Sequence, residues 1–143
     1  DDSEMNREIL TEMLQDDFRI LEAENGEEAL KMLKQYDTGI SLMLLDIVMP
    51  VMNGFEVLAA MAREHWMDDI PVIMISSEGS EDYIRRAYEM GIADYIRRPF
   101  DAKIVYQRVF NTIKLYAKQR RLVKILTAQI EERENLSQIS DKS

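Results

Sequence analysis

Residues 40–54, ISLMLLDIVMPVMNG, decide how this chain is read. From Ile40 the run is almost unbrokenly apolar until it meets Asp46. It is too short for an amphipathic helix and lacks a polar face, so it fits a parallel strand buried on both sides. Pro50 and the Asn53-Gly54 pair then break the chain. A carboxylate that closes a buried strand is costly unless its charge finds a partner.

Downstream, residues 71–76 (PVIMIS) repeat the pattern of a buried strand, and ADYIRR at 93–98 is a shorter one stopped by Pro99. Upstream, FRILEA at 18–23 predicts another strand. Helical periodicity fills the intervals. Residues 3–14 carry Met5, Ile9, Leu10, Met13 and Leu14 on one side, with Ser3 as N-cap. Asn25-Gly26 turns into GEEALKMLKQY, FEVLAAMAREH follows Gly54, and SEDYIRRAYEMG stops at Gly91. This β-α alternation predicts an α/β fold, a doubly wound parallel sheet with helices on both faces. Such sheets bind ligands at the carboxyl ends of their strands. Those ends carry Asp46, Ser76 and Arg98, and Asp1 and Asp2 stand where a strand preceding the first helix would end.

Composition narrows the chemistry. The 143 residues are 46% apolar, enough for a core, and no run nears the ~20 residues of a membrane span. No signal segment opens the chain, which predicts a soluble, cytoplasmic protein. Cysteine is absent and histidine occurs once, which removes disulfides, thiolate zinc sites and cysteine nucleophiles. Residues 1–100 hold 22 acidic and 9 basic residues, a net charge of −13, against +4 for residues 101–143. An acidic body of this kind repels nucleic acid and anionic membranes, so neither is an expected partner.

Three carboxylates on one sheet edge repel one another, and a divalent cation relieves the repulsion. Oxygen ligands without His or Cys suit Mg²⁺. A carboxylate beside Mg²⁺ can accept a phosphoryl group as an acyl phosphate, with a hydroxyl (Ser76) and a fixed cation (Arg98) holding its oxygens.

The stretches DDS at 1–3, LLDIVMPVMNG at 44–54, PVIMISS at 71–77 and DYIRRPF at 94–100, in this order, resemble the receiver domain of two-component response regulators. The resemblance covers residues 1 to about 115 and implies a flavodoxin-like, CheY-like sheet of order 2-1-3-4-5. It implies that Asp46 is the phosphoacceptor and that Asp1, Asp2, Asp46 and the backbone carbonyl of Val48 hold Mg²⁺, with Asp2 the direct ligand of the acidic pair. Ser76 matches the hydroxyl that moves to the phosphoryl group, and Tyr95 the aromatic switch that turns inward when Ser76 is engaged. Pro50 and Gly54 shape the loop after Asp46. The implied donor is a histidine kinase, with small acyl phosphates as substitutes. The domain would promote its own phosphotransfer and dephosphorylation without being an enzyme on a separate substrate.

Two features depart from the family. Arg98 stands where the family has Lys, exchanging a compact ammonium for a planar fork. The family also places an apolar first strand before the acidic pair, in the middle of the sheet. That strand is absent from the sequence, and the expectation is that the protein begins earlier.

From Asp101, a plausible N-cap, the chain reads as helix for ~35 residues, far longer than a globular helix needs. Residues 116–143 thus form an extension to a receiver domain of residues 1–115. Leu115, Leu122, Val123, Ile125, Leu126, Ile130, Leu136 and Ile139 keep only loose heptad spacing, with Gln129 interrupting. A lone helix would expose this stripe to water, so it should pack on a second copy as a coiled coil or bundle. The run KQRRLVK at 118–124 reads as solvated flanking charge. By resemblance, the face made by the fourth helix, fifth strand and final helix passes the signal to a partner or to an output domain beyond this chain.

Two alternatives stay open. One is an interaction or dimerisation module that ignores phosphorylation. The other is a Mg²⁺-dependent aspartyl phosphohydrolase, which would use Asp-x-Asp, but here the third position is Val48.

Overall fold

The computed structural model describes residues 2–46, 52–76 and 81–142, with side chains at 7–37, 39–46, 52–76 and 81–134. Among the described residues five α-helices and three strands follow in the order α1 (Asp2–Leu14), α2 (Gly26–Tyr36), β1 (Met43–Leu45), α3 (Gly54–Arg63), β2 (Val72–Ser76), α4 (Glu81–Glu89), β3 (Asp94–Arg97) and α5 (Ala102–Lys142). The strands are parallel in the order β1-β2-β3, with Leu45 opposite Met74 and Ser76 opposite Arg97.

Strand β2 is buried along its whole length. Its alternation splits the core in two, because successive side chains leave opposite faces of a sheet. Val72 and Met74 join Leu33, Leu58, Met61 and Tyr95 beneath α2, α3 and α4. Ile73 and Ile75 join Leu14, Ile96, Val105 and Val109 beneath α1 and α5. The doubly wound architecture read from the sequence is thereby present.

Caps fix where the helices begin. The Asn25 side chain accepts from the Glu28 N–H at 2.9 Å, and Asn53 accepts from the Glu56 N–H at 3.0 Å. Asp101 caps α5 by accepting from the Lys103 N–H at 2.8 Å. A Cβ on Gly26 would lie 2.7 Å from Val57 Cγ2, so only glycine lets α2 approach α3 this closely. Gly91 ends the turn after α4 with φ of 104°.

Two expectations need correction. Residues 18–23 are not a strand. In the expected order this segment would pair only with the first strand, and without a neighbour its backbone has no ladder to join. Phe18 and Ile20 still turn inward against the second core. Between this segment and β1 lies an apolar cleft of about 430 Å³, lined in part by Leu10, Leu14, Ile20, Leu42 and Leu44. Ser3 is also not an N-cap, since α1 already begins at Asp2.

α5 changes character along its length. Its first turns bury Val105 and Val109, and further on Arg120 Nη2 donates to the Asp69 carbonyl at 3.1 Å, beside the start of β2. Beyond that contact the described side chains are exposed as far as residue 134. The remaining 22 residues to Lys142 would extend about 33 Å at helical rise. No described helix is long and apolar enough to cross a membrane.

Candidate functional site at the strand ends

The parallel sheet delivers three polar side chains to one edge. Asp46 follows β1, Ser76 ends β2 and Arg98 follows β3. Adjacent strands are about 4.8 Å apart, so Arg98 must reach across the end of β2 to meet a residue of β1. It does so: Arg98 Nη1 lies 3.0 Å from Asp46 Oδ2. The Arg98 backbone N–H donates to the Ser76 carbonyl at 3.0 Å, which anchors the base of the arginine beside β2. At the end of β2 Ser76 is fully buried, the one buried polar residue among the described residues.

The ion pair is largely shielded. Asp46 and Arg98 side chains retain 14% and 18% of their exposure. Water screens such a pair less than a surface pair, and removing either partner would strand the other charge. Arg98 also holds a buried Nε–H with no hydrogen-bond partner among the described residues. Buried donors are seldom left this way in folded proteins.

Of the residues singled out in the sequence, Asp46, Ser76 and Arg98 are therefore brought together. Tyr95 lies on β3 with its side chain in the core beside α4, buried and turned inward. Its carbonyl accepts from Arg108 Nη1 at 3.4 Å, and the same guanidinium lies 3.6 Å from Asp94 Oδ1. Asp1, Val48, Pro50 and Ser77 lie outside the described residues. Asp2 begins α1, and its side chain is also outside them. Gly54 is buried and opens α3 directly after the Asn53 cap.

Sequence reasoning missed several contacts around the site. Phe55, in the first turn of α3, stacks on Tyr83 of α4 at 5.7 Å, and Arg86 lies 4.2 Å over the Phe55 ring. This stack ties α4 to α3. A signal was available in the aromatic residues at the starts of two consecutive helices, but their contact depends on how the helices pack. The Arg108–Asp94 pair had no local signal at all. Tyr88, near Asp94, has a phenol pushed above its ordinary pKa, first by burial and then by the carboxylate's charge.

The donor chemistry fits the groups that the strand ends imply. Asp46 supplies hard oxygen, and the lone histidine is remote in role, since exposed His65 pairs with Asp68 at 3.7 Å after α3. An oxygen-only donor set suits Mg²⁺. The buried Nε–H of Arg98 and the Ser76 hydroxyl suit an oxyanion.

Comparison with known proteins speaks to the family and the fold. The family model of the response regulator receiver domain matches residues 1–110. Chemotaxis protein CheY of Halobacterium salinarum is 37% identical over 114 residues, covering 79% of this chain and 92% of CheY. Among solved structures, the receiver domain of a putative LuxO repressor protein from Vibrio parahaemolyticus superposes with a TM-score of 0.77 at 21% identity, covering 85% of this chain and 92% of that one. That likeness speaks for the fold. The CheX–CheY–BeF3–Mg²⁺ complex from Borrelia burgdorferi gives a TM-score of 0.70 at 33% identity, covering 78% and 83%.

The chain belongs to the receiver-domain family of two-component response regulators, and its fold is the flavodoxin-like fold of that family. Switching by phosphorylation is the function of this family. The chain spans 52% and 24% of the length of two further curated relatives that it matches.

Proposed function

We propose that Asp46 is the phosphoacceptor of this receiver and that its modification switches the surface formed by α4, β3 and α5. The observation that carries this reading is the 3.0 Å ion pair between Asp46 and Arg98, whose backbone N–H is bonded to the carbonyl of the buried Ser76. It puts an acceptor carboxylate, a cation and a hydroxyl at one sheet edge. An Asp46 carboxylate oxygen attacks the phosphorus of a kinase phosphohistidine. A P–O bond forms as the P–N bond breaks, and the imidazole leaves with its electron pair and takes up a proton. Arg98 and Ser76 then hold the phosphoryl oxygens.

Asp1, Asp2, Asp46 and the Val48 carbonyl would hold Mg²⁺, which neutralises charge on the transferring group when bound. The Borrelia complex, whose CheY is described with BeF3 and Mg²⁺, supports Mg²⁺ as the metal. Residues 1–115 act as the receiver and 116–143 as a helical extension. The donor is a histidine kinase, which places the protein in the cytoplasm. Position 48 is Val, so the second carboxylate of an aspartyl phosphohydrolase is missing, and we read the chain as a phosphoacceptor without a separate substrate.

Tyr95 is the readout in this scheme. It pairs with Met74, two residues before Ser76 on β2, and shares a core cluster with Ala87 of α4, so a movement of Ser76 toward a phosphoryl group would be passed along β2 to the ring. The exposed apolar positions of α5, from Leu115 to Ile130, pair two copies as a coiled coil and pass the change to a partner or an output domain.

Acetyl phosphate with Mg²⁺ should add one phosphoryl group to the native chain by intact mass. Asp46→Ala should remain folded and gain none. A phosphoryl group persisting on the variant at native yield would reject the site assignment.

A further inference from the structure

We propose that Arg98 receives the phosphoryl group through two donors, with its buried Nε–H engaged only after Asp46 is modified. This rests on Asp46 being the phosphoacceptor and adds a geometric role that a lysine at position 98 could not fill. In the unmodified protein one end of the guanidinium is committed, with Nη1 3.0 Å from Asp46 Oδ2. The Nε–H is buried and has no partner among the described residues. The backbone beneath it is pinned by the 3.0 Å hydrogen bond from the Arg98 N–H to the Ser76 carbonyl, so the side chain reaches the site from a fixed base.

A phosphoryl group on Asp46 extends the acid by a tetrahedral centre and brings new acceptor oxygens to this shielded corner. Arginine presents several N–H donors in a rigid plane, whereas lysine presents one nitrogen. A small turn of the guanidinium keeps charge against the modified Asp46 while offering Nε–H to a phosphoryl oxygen. The unmet donor of the resting state thus becomes a positioning contact of the modified state. Arg98 then sets how tightly a tetrahedral group is held, beyond supplying a positive charge.

The test uses the full chain with beryllofluoride and Mg²⁺ as the phosphoryl mimic, followed by ¹H–¹⁵N spectra of the arginine side chains. The Arg98 Nε–H signal should move downfield and exchange more slowly with water when the mimic binds. Arg98→Lys, which keeps the charge, should bind the mimic about tenfold more weakly, as expected for loss of one charge-assisted hydrogen bond. Native protein that binds the mimic at Asp46 with an unmoved Nε–H would overturn the two-donor role and leave the phosphoacceptor reading intact. Equal affinity of native protein and Arg98→Lys would overturn it too. Failure of the native chain to bind the mimic in an Asp46-dependent way would overturn the phosphoacceptor reading itself. The spectrum of the native protein decides the matter even where Arg98→Lys does not fold.

Discussion

The strand-end cluster and the outer part of α5 invert the usual distribution of residues in opposite senses. At the strand ends, polar groups are buried: Ser76 completely, Asp46 and Arg98 for the most part. Along α5 beyond the body, apolar groups are exposed: Leu122, Val123, Ile125, Leu126 and Ile130 each keep 48–61% of their surface. Buried polar groups and exposed apolar patches are the informative exceptions in a globular protein. The first exception is resolved within the chain by an ion pair. The second has no cover among the described residues, and the pairing of two copies proposed above would supply it.

The contrast can be broken most sharply at the tail. The double substitution Leu122→Lys and Leu126→Lys should weaken self-association at least a hundredfold in sedimentation equilibrium, while leaving phosphorylation of Asp46 unchanged. Lysines at these positions place charge in the apolar seam that the second copy would cover. An unchanged association constant would show that this stripe does not pair two copies.

Truncation at matched residues separates the two regions energetically. Leu58 is fully buried beneath the sheet, and Leu58→Ala should cost about 2–5 kcal/mol in urea unfolding of the receiver. Leu122→Ala should cost the isolated chain less than about 0.5 kcal/mol, because its side chain has little to lose within one molecule. Comparable losses at both positions would mean that the tail is part of the core. A smaller effect is expected at the Asn53 cap, which fixes the start of α3 just past the loop after Asp46. Asn53→Ala should destabilise by about 1 kcal/mol.

The smallest effect concerns pH. Tyr106 Oη donates to Asp17 Oδ2 at 2.8 Å, and its phenol is raised above 10.0, first by this hydrogen bond. The sign follows from linkage: a group whose folded pKa is raised gives stability that is full below its unfolded pKa and is lost as pH rises through the folded value. The tie between α5 and the turn after α1 should therefore weaken only above pH 10. Ultraviolet titration of the native chain and Tyr106→Phe should show the missing phenol to be among the last to ionise.

Much of this was legible in the residues because it is local. The turn at Asn25-Gly26 and the periodicity after it give α2 its observed limits, and the apolar run before Asp46 gives β1. The convergence of Asp46, Ser76 and Arg98 followed from the rule that parallel strands end on one edge. Other features depended on what lies alongside. Residues 18–23 have the composition of a strand, yet a strand exists only through its neighbour, and no ladder forms there. The ion pair could not be read either. The sequence pointed to Arg98 as a holder of phosphoryl oxygens, but its pairing with Asp46 across β2 is a matter of side-chain reach. The same holds for Tyr106 and Asp17, 89 residues apart.

On the proposal made above, residue 46 carries the phosphoryl group. This is tested most directly by phosphorylating the native chain with acetyl phosphate and Mg²⁺, reducing the acyl phosphate with borohydride, and locating the product by peptide mass spectrometry. Reduction converts a phosphorylated aspartate into homoserine, which should be found at position 46 and nowhere else. Homoserine at another acidic residue, with unmodified Asp46, would contradict the account.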